Sequence, residues 1–258
     1  MGEKISILDF IPFNVLCGKN QTPYPLQIKE DSEFLFLSYT TNQYNNSQRE
    51  HFLSLPKLIN KNNETFEVLG LLQAEMGKTN NGCITFCNHE YQIIKKVMKW
   101  FEKELELSYD EWRWYTKVNI NEPDDENYRN EIENKVINYW LSKTEIKESM
   151  KHPKVVTYIK NTKNKKLGFY DYGTLIIEHK SNLFSQIIKN YVKLMSQNMV
   201  NLEESYIRSF MKGIIAGEGT VELYKPDKRY RVHIPVTKED EKDLYQTCLK
   251  KLDIESKK

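Results

Sequence analysis

Lys212-Gly213-Ile214-Ile215-Ala216-Gly217-Glu218-Gly219-Thr220 restates, in diverged form, an earlier stretch, Leu69-Gly70-Leu71-Leu72-Gln73-Ala74-Glu75-Met76-Gly77. Each reads as the last turns of an apolar helix. Each has Gly at one position, a small residue four later (Ala74, Gly217) and Glu immediately after it. An internal repeat of this kind weighs more than any single motif. Residues four apart are neighbours on a helix, so Gly70 with Ala74, and Gly213 with Gly217, form faces poor in side chains. Another helix backbone can approach such a face closely. Gly inside a helix costs about 0.5–1 kcal/mol relative to Ala, so two helices that both accept it are expected to meet along that face. In a pseudo-twofold pair, Glu75 and Glu218 then converge at the C-terminal ends, where the helix dipole is negative too. A divalent cation would relieve that repulsion. Oxygen-only protein ligands, few in number, suit Mg²⁺ completed by water and phosphate oxygens.

Working outward, Glu64 to Met76 reads as a helix, Cys83–Cys87 as a short strand, and Glu90 to Leu105 as an amphipathic helix with Ile93, Ile94, Val97, Trp100 and Phe101 on one face. Asn88 is placed to cap that helix. Glu111–Ile120 alternates as a strand and a charged helix follows to Leu141. Val155–Lys160 and Gly173–Glu178 are β-rich, and Ser181 caps a helix running to Met195. From Leu202 the order restarts: a helix to Ala216, a strand pair Thr220–Tyr224 and Arg229–Val236 around a Lys-Pro-Asp turn, and a helix Lys238–Leu252. This divides the chain into an N-terminal extension (1–63), a first repeat (64–200) with a helical insertion near 124–150, and a partial second repeat (201–258). The second copy is the shorter: 40 residues follow Glu218, against 122 from Glu75 to Gln197.

Both segments resemble the LAGLIDADG motif of homing endonucleases, its last acidic position falling on Glu75 and Glu218. The resemblance covers roughly Glu64 to Ile254. The first copy departs from the pattern: Gln73 replaces an often acidic residue and Met76 stands where Gly is usual. The resemblance implies an α+β fold of αββαββα repeats, with antiparallel saddle sheets and helices on the outer face, in one full and one partial copy. Gly70, Ala74, Gly213 and Gly217 would form the helix interface. Glu75 and Glu218 would be both catalytic and metal-binding, holding Mg²⁺ or another divalent cation at the scissile phosphates. Lys193 matches by type a lysine that the family places near the site. The sheets would lie in the DNA major groove, whose base edges are distinguishable. The DNA-binding set is then Arg113, Lys117, Asn119, Lys163, Lys165 and Lys166 in the first half, and Lys225, Lys228, Arg229, Arg231 and His233 in the second.

The function so implied is a site-specific, divalent-metal-dependent double-stranded DNA endonuclease. The alternative is a catalytically degenerate DNA- or RNA-binding protein, a regulator or splicing maturase, and a third reading is an interaction domain that kept only the fold. The chain would act as a monomer with pseudo-twofold halves or as a homodimer. Hydrophobic residues make up 39% and charged residues 29%, which excludes a disordered chain. A net charge of +2 neither favours nor excludes DNA, because a basic face matters more than the total. Cys83 and Cys87 lack a ligand-spaced partner pair, which argues against zinc. The four scattered cysteines read as reduced thiols, and no stretch approaches the ~20 apolar residues of a membrane span, so a cytoplasmic location is expected.

Overall fold

The computed structural model describes residues 2–43, 47–77, 82–120, 126–160, 172–224 and 229–256. The N-terminal extension is all β apart from one 3-10 turn: β1 (Lys4–Ser6), β2 (Asn14–Cys17), β3 (Thr22–Pro25), β4 (Gln27–Glu30), β5 (Phe34–Asn42), β6 (Gln48–Pro56) and β7 (Leu58–Asn60). Its pairings, β1 with β7, β2 with β3, and β4-β5-β6, are all antiparallel. Alternation on β5 decides which face is covered: Leu35, Leu37 and Tyr39 are buried, whereas Phe36 between them is exposed.

The first repeat runs α1 (Asn63–Glu75), β8 (Cys83–Asn88), α2 (Tyr91–Leu105), β9 (Arg113–Ile120), α3 (Glu126–Lys143), β10 (Lys151–Lys160), β11 (Thr174–Lys180) and α4 (Asn182–Asn198). Asn62 starts α1 by accepting the Thr65 backbone N–H at 2.9 Å. Phe66, Val68, Leu69, Leu71 and Leu72 bury almost the whole circumference of α1, which makes it a core helix. The four strands form one sheet in the order β10-β9-β11-β8. Trp114, Thr116, Leu175, Ile177, Ile84 and Phe86 point to its buried face. There α2 and α4 cover it through residues such as Phe101 and Phe184, whose rings lie 5.9 Å apart. The N-terminal strands lie on the far side of α2 and α4. Gln186 of α4 exchanges hydrogen bonds with the Leu16 backbone, and buried Glu104 of α2 accepts the Asn60 backbone N–H at 2.7 Å.

Two expectations about this repeat need correction. The αββαββα order places two strands between α1 and α2, yet among the described residues only β8 is there. His89 and Glu90 alone separate it from α2, too few to turn and lay down another strand. Nor is the sheet wholly antiparallel: β9–β11 and β11–β8 are, but β10 runs parallel to β9. Parallel neighbours require a long crossover, and the insertion supplies it. Its helix α3 buries Val136 and Trp140, and the Trp140 indole N–H donates to the Tyr172 carbonyl at 2.9 Å.

The second repeat consists of α5 (Glu204–Glu218), β12 (Thr220–Tyr224), β13 (Arg229–His233) and α6 (Glu239–Lys251). β12 and β13 pair antiparallel. α6 packs against α5 and the turn after α4 through buried Tyr245 and Cys248. Val221, Leu223 and Val232, on one face of the strand pair, stay exposed. The whole is a mixed α+β fold with several small antiparallel sheets. Among the described residues no helix is long and apolar enough to cross a membrane.

Candidate functional site

α1 and α5 meet along the stripes of small residues, and the contact is reciprocal. A Cβ added to Gly70 would strike the Phe210 carbonyl oxygen and lie 3.0 Å from the Gly213 Cα. One added to Gly213 would strike the Glu67 carbonyl oxygen and lie 3.0 Å from the Gly70 Cα. Phe210 precedes Gly213 by the same three residues that separate Glu67 from Gly70. The pairing therefore maps onto itself when the copies are exchanged, as a twofold contact must. One turn on, a Cβ at Gly217 would lie 2.7 Å from the Ala74 Cβ and 3.2 Å from the Glu75 Cγ. All four small residues thus lie in the helix contact, and they carry Glu75 and Glu218 to the same end of the pair. Glu67 fastens it from the side, accepting from Lys96 of α2 and, at 3.1 Å, from Lys212 of α5.

The two helices also end alike. The Met76 N–H bonds to the Leu72 carbonyl and the Gly219 N–H to the Ile215 carbonyl. Both residues are extended at φ −74°. Any L-residue adopts that backbone, although at Gly219 an added Cβ would strike the Ile215 carbonyl oxygen.

Beyond Met76 the chain latches onto β8: Met76 bridges to Phe86, and the Gly77 N–H donates to the Thr85 carbonyl at 2.8 Å. The Glu75 carboxyl comes to rest at the end of β8. The Asn88 side-chain amide donates to Glu75 Oε1 at 3.2 Å, and Cys87 Sγ lies 3.8 Å from Oε2. Burial, and then the charge of Glu218, push the Glu75 carboxyl from the usual 4.5 up to about 7, against the pull of the Cys87 and Asn88 donors. A partly buried carboxylate, raised by burial and by the charge of a second carboxylate, suits a hard cation with oxygen ligands. Among the described residues no group of three His, Cys, Asp or Glu converges to hold an ion. A cation here would be completed by water or phosphate oxygens.

The sheet face away from α2 and α4 carries Arg113 and Lys117, both exposed, with Tyr115 between them. Glu178 pairs opposite Arg113 and forms an ion pair with Lys180 at 3.2 Å. Cys87 lies on this face too, so it runs up to Glu75. On β13, residues 231 and 233 alternate onto a common face. Arg231 and His233 are exposed, Arg231 pairs across from Glu222, and His233 meets the Glu222 carboxylate at 3.3 Å. Asn119 and Arg229 lie in strands, with side chains outside the described set. Lys163, Lys165, Lys166, Lys225 and Lys228 fall outside the described residues. Lys193 stands exposed on α4, with no hydrogen-bond or ion-pair partner among the described residues.

Residue-by-residue reading of the sequence missed the neighbours of the glutamates. Asn88 was legible only as a helix cap, and Cys87 only as a non-zinc cysteine. Gln73 accepts from the Ser196 hydroxyl at 3.1 Å, and its amide N–H lies 3.4 Å from a Glu241 carboxylate oxygen, so it ties α1 to α4 and α6. A polar residue inside an otherwise apolar run was the one signal for that role. No family model, curated protein or solved structure matches the chain.

Proposed function

We propose that the chain is a site-specific double-stranded DNA endonuclease of the LAGLIDADG homing type, dependent on Mg²⁺ or another divalent cation. The reading rests on one observation above all: the reciprocal α1–α5 contact, which delivers Glu75 and Glu218 to one end of the helix pair. When bound, a divalent cation would neutralise charge at a scissile phosphate. The residues to hold it are Glu75 and Glu218. Arg113 and Lys117, with Arg231 and His233, would hold the duplex; phosphate contacts set its position and base-edge contacts its sequence. Incubation with a randomised duplex library, with and without Mg²⁺, followed by sequencing of cut ends and of bound uncut molecules, tests this. Metal-dependent cuts at one recurring sequence are expected; bound molecules without cuts would reject the nuclease.

A second reading, a catalytically degenerate DNA- or RNA-binding protein, draws on the Glu75 carboxyl itself. A group that titrates near 7 is half protonated at neutral pH and is then a poorer metal ligand. Salt-sensitive binding without metal-dependent nicking would select this reading.

A further inference from the structure

We propose that Asn88 is a positioning residue for Glu75, an inference that rests on reading Glu75 as a metal ligand. Asn88 is the last residue of β8 and is 3% exposed. Its Oδ1 accepts the Glu90 backbone N–H at 2.8 Å, just before α2. That contact fixes the amide: with oxygen on the Glu90 N–H, the nitrogen faces Glu75 Oε1 at 3.2 Å. The flipped amide would set nitrogen against an N–H and oxygen against a carboxylate, two repulsive contacts in place of two hydrogen bonds. The backbone holds the two residues together, because the Met76–Phe86 bridge and the Gly77–Thr85 hydrogen bond join the end of α1 to β8.

The bond to the Glu90 N–H, a turn contact ahead of α2, does not by itself call for Asn. Ser, Thr or Asp offers the same acceptor to the Glu90 N–H. What Asn adds is a buried amide donor aimed at Oε1 of Glu75, which orients the carboxylate and leaves Oε2, met by the weak Cys87 thiol donor, as the oxygen that turns to a cation. Hydrogen bonds of this kind, from a neighbour to a ligating carboxylate, are the usual means of aiming a metal ligand.

The test compares the full-length wild type with Asn88→Ser, which keeps an acceptor for Glu90, and Asn88→Ala, which loses both acceptor and donor. Mn²⁺ alone is titrated without DNA and free Mn²⁺ is counted by electron paramagnetic resonance; metal-free melting temperatures are recorded alongside. Both variants are expected to lose Mn²⁺ affinity by about 10- to 100-fold, while only Asn88→Ala melts lower, by about 2–4 °C. Wild-type affinity in Asn88→Ser would show that Asn88 only holds the turn before α2, and would overturn the inference. A wild type that takes up no Mn²⁺ at millimolar concentration would instead overturn the reading of Glu75 as a ligand, and the inference with it.

Discussion

Gly70 and Gly213 stand face to face across the α1–α5 contact, so close that a Cβ on either would lie 3.0 Å from the other's Cα and nearer still to a carbonyl oxygen. Replacing an interior helix Gly with Ala ordinarily stabilises by about 1 kcal/mol. Here the sign reverses, because the added carbon meets backbone that cannot rotate aside. Gly70→Ala and Gly213→Ala are each expected to destabilise by about 1–3 kcal/mol, read from urea midpoints at constant m. The double variant should lose less than the sum, since one separation of the helices relieves both clashes. A raised midpoint in either single variant would contradict the packing described.

Glu75 should make the metal-free protein less stable as pH rises. Its carboxyl moves from 4.5 to about 7 on folding, so the folded chain holds the proton more tightly than the unfolded chain. The stabilisation from the bound proton is complete below the unfolded value and is lost as pH climbs through the folded one. Glu75→Gln keeps a neutral group at every pH. Metal-free melting temperatures of the two proteins should converge near pH 4 and separate by pH 8, with the variant higher. Parallel curves over that range would show that Glu75 is not perturbed.

If the chain cuts DNA as proposed, Glu218→Gln should cripple cleavage and leave duplex binding intact. The loss expected is at least about 100-fold, at the top of the range for residues one step removed from a metal. Single-turnover cleavage and gel shift on the same duplex separate the two effects. A variant that cuts at the wild-type rate would remove Glu218 from the site.

On the proposed DNA-binding reading, Arg113→Ala and Lys117→Ala should weaken duplex binding without lowering the melting temperature, because both side chains are exposed on the open sheet face. A residue that touches a phosphate lowers the slope of log affinity against log salt by about 1 when removed. One that reads a base edge instead relaxes preference at a single base pair, by about 1–3 kcal/mol. Unchanged affinity in both would move the DNA to another face.

From residue 63 onward most helices and strands were legible because their signals are local. Asn62 and Ser181 cap α1 and α4 as side-chain acceptors, and the helix expected over Glu64–Met76 lies at Asn63–Glu75. The glutamate pair was legible because the glycine spacing is itself a packing instruction. The rest depends on contacts between residues distant in the chain. Nothing in residues 151–160 announces that they run parallel to β9, since that direction comes from the path of α3. Asn88 gives no sign of its carboxylate partner, because Glu75 reaches it only through the latch between Met76 and β8. Gln73 looked like a departure from an acidic pattern, and its partners Ser196 and Glu241 are visible only once α4 and α6 are folded around it.

The parallel pairing of β10 with β9 also bears on where the native sheet first opens. β10 is an edge strand, paired with β9 alone among the described strands, and its ladder shifts between Lys151 and Val156. β9, β11 and β8 are joined to one another by antiparallel ladders. Parallel pairing is slightly weaker per residue, and weakly held elements open locally first. In amide exchange of the native protein, Val156–Lys160 should therefore lose protection before the other strands of this sheet, while the backbone of α1 holds until global unfolding.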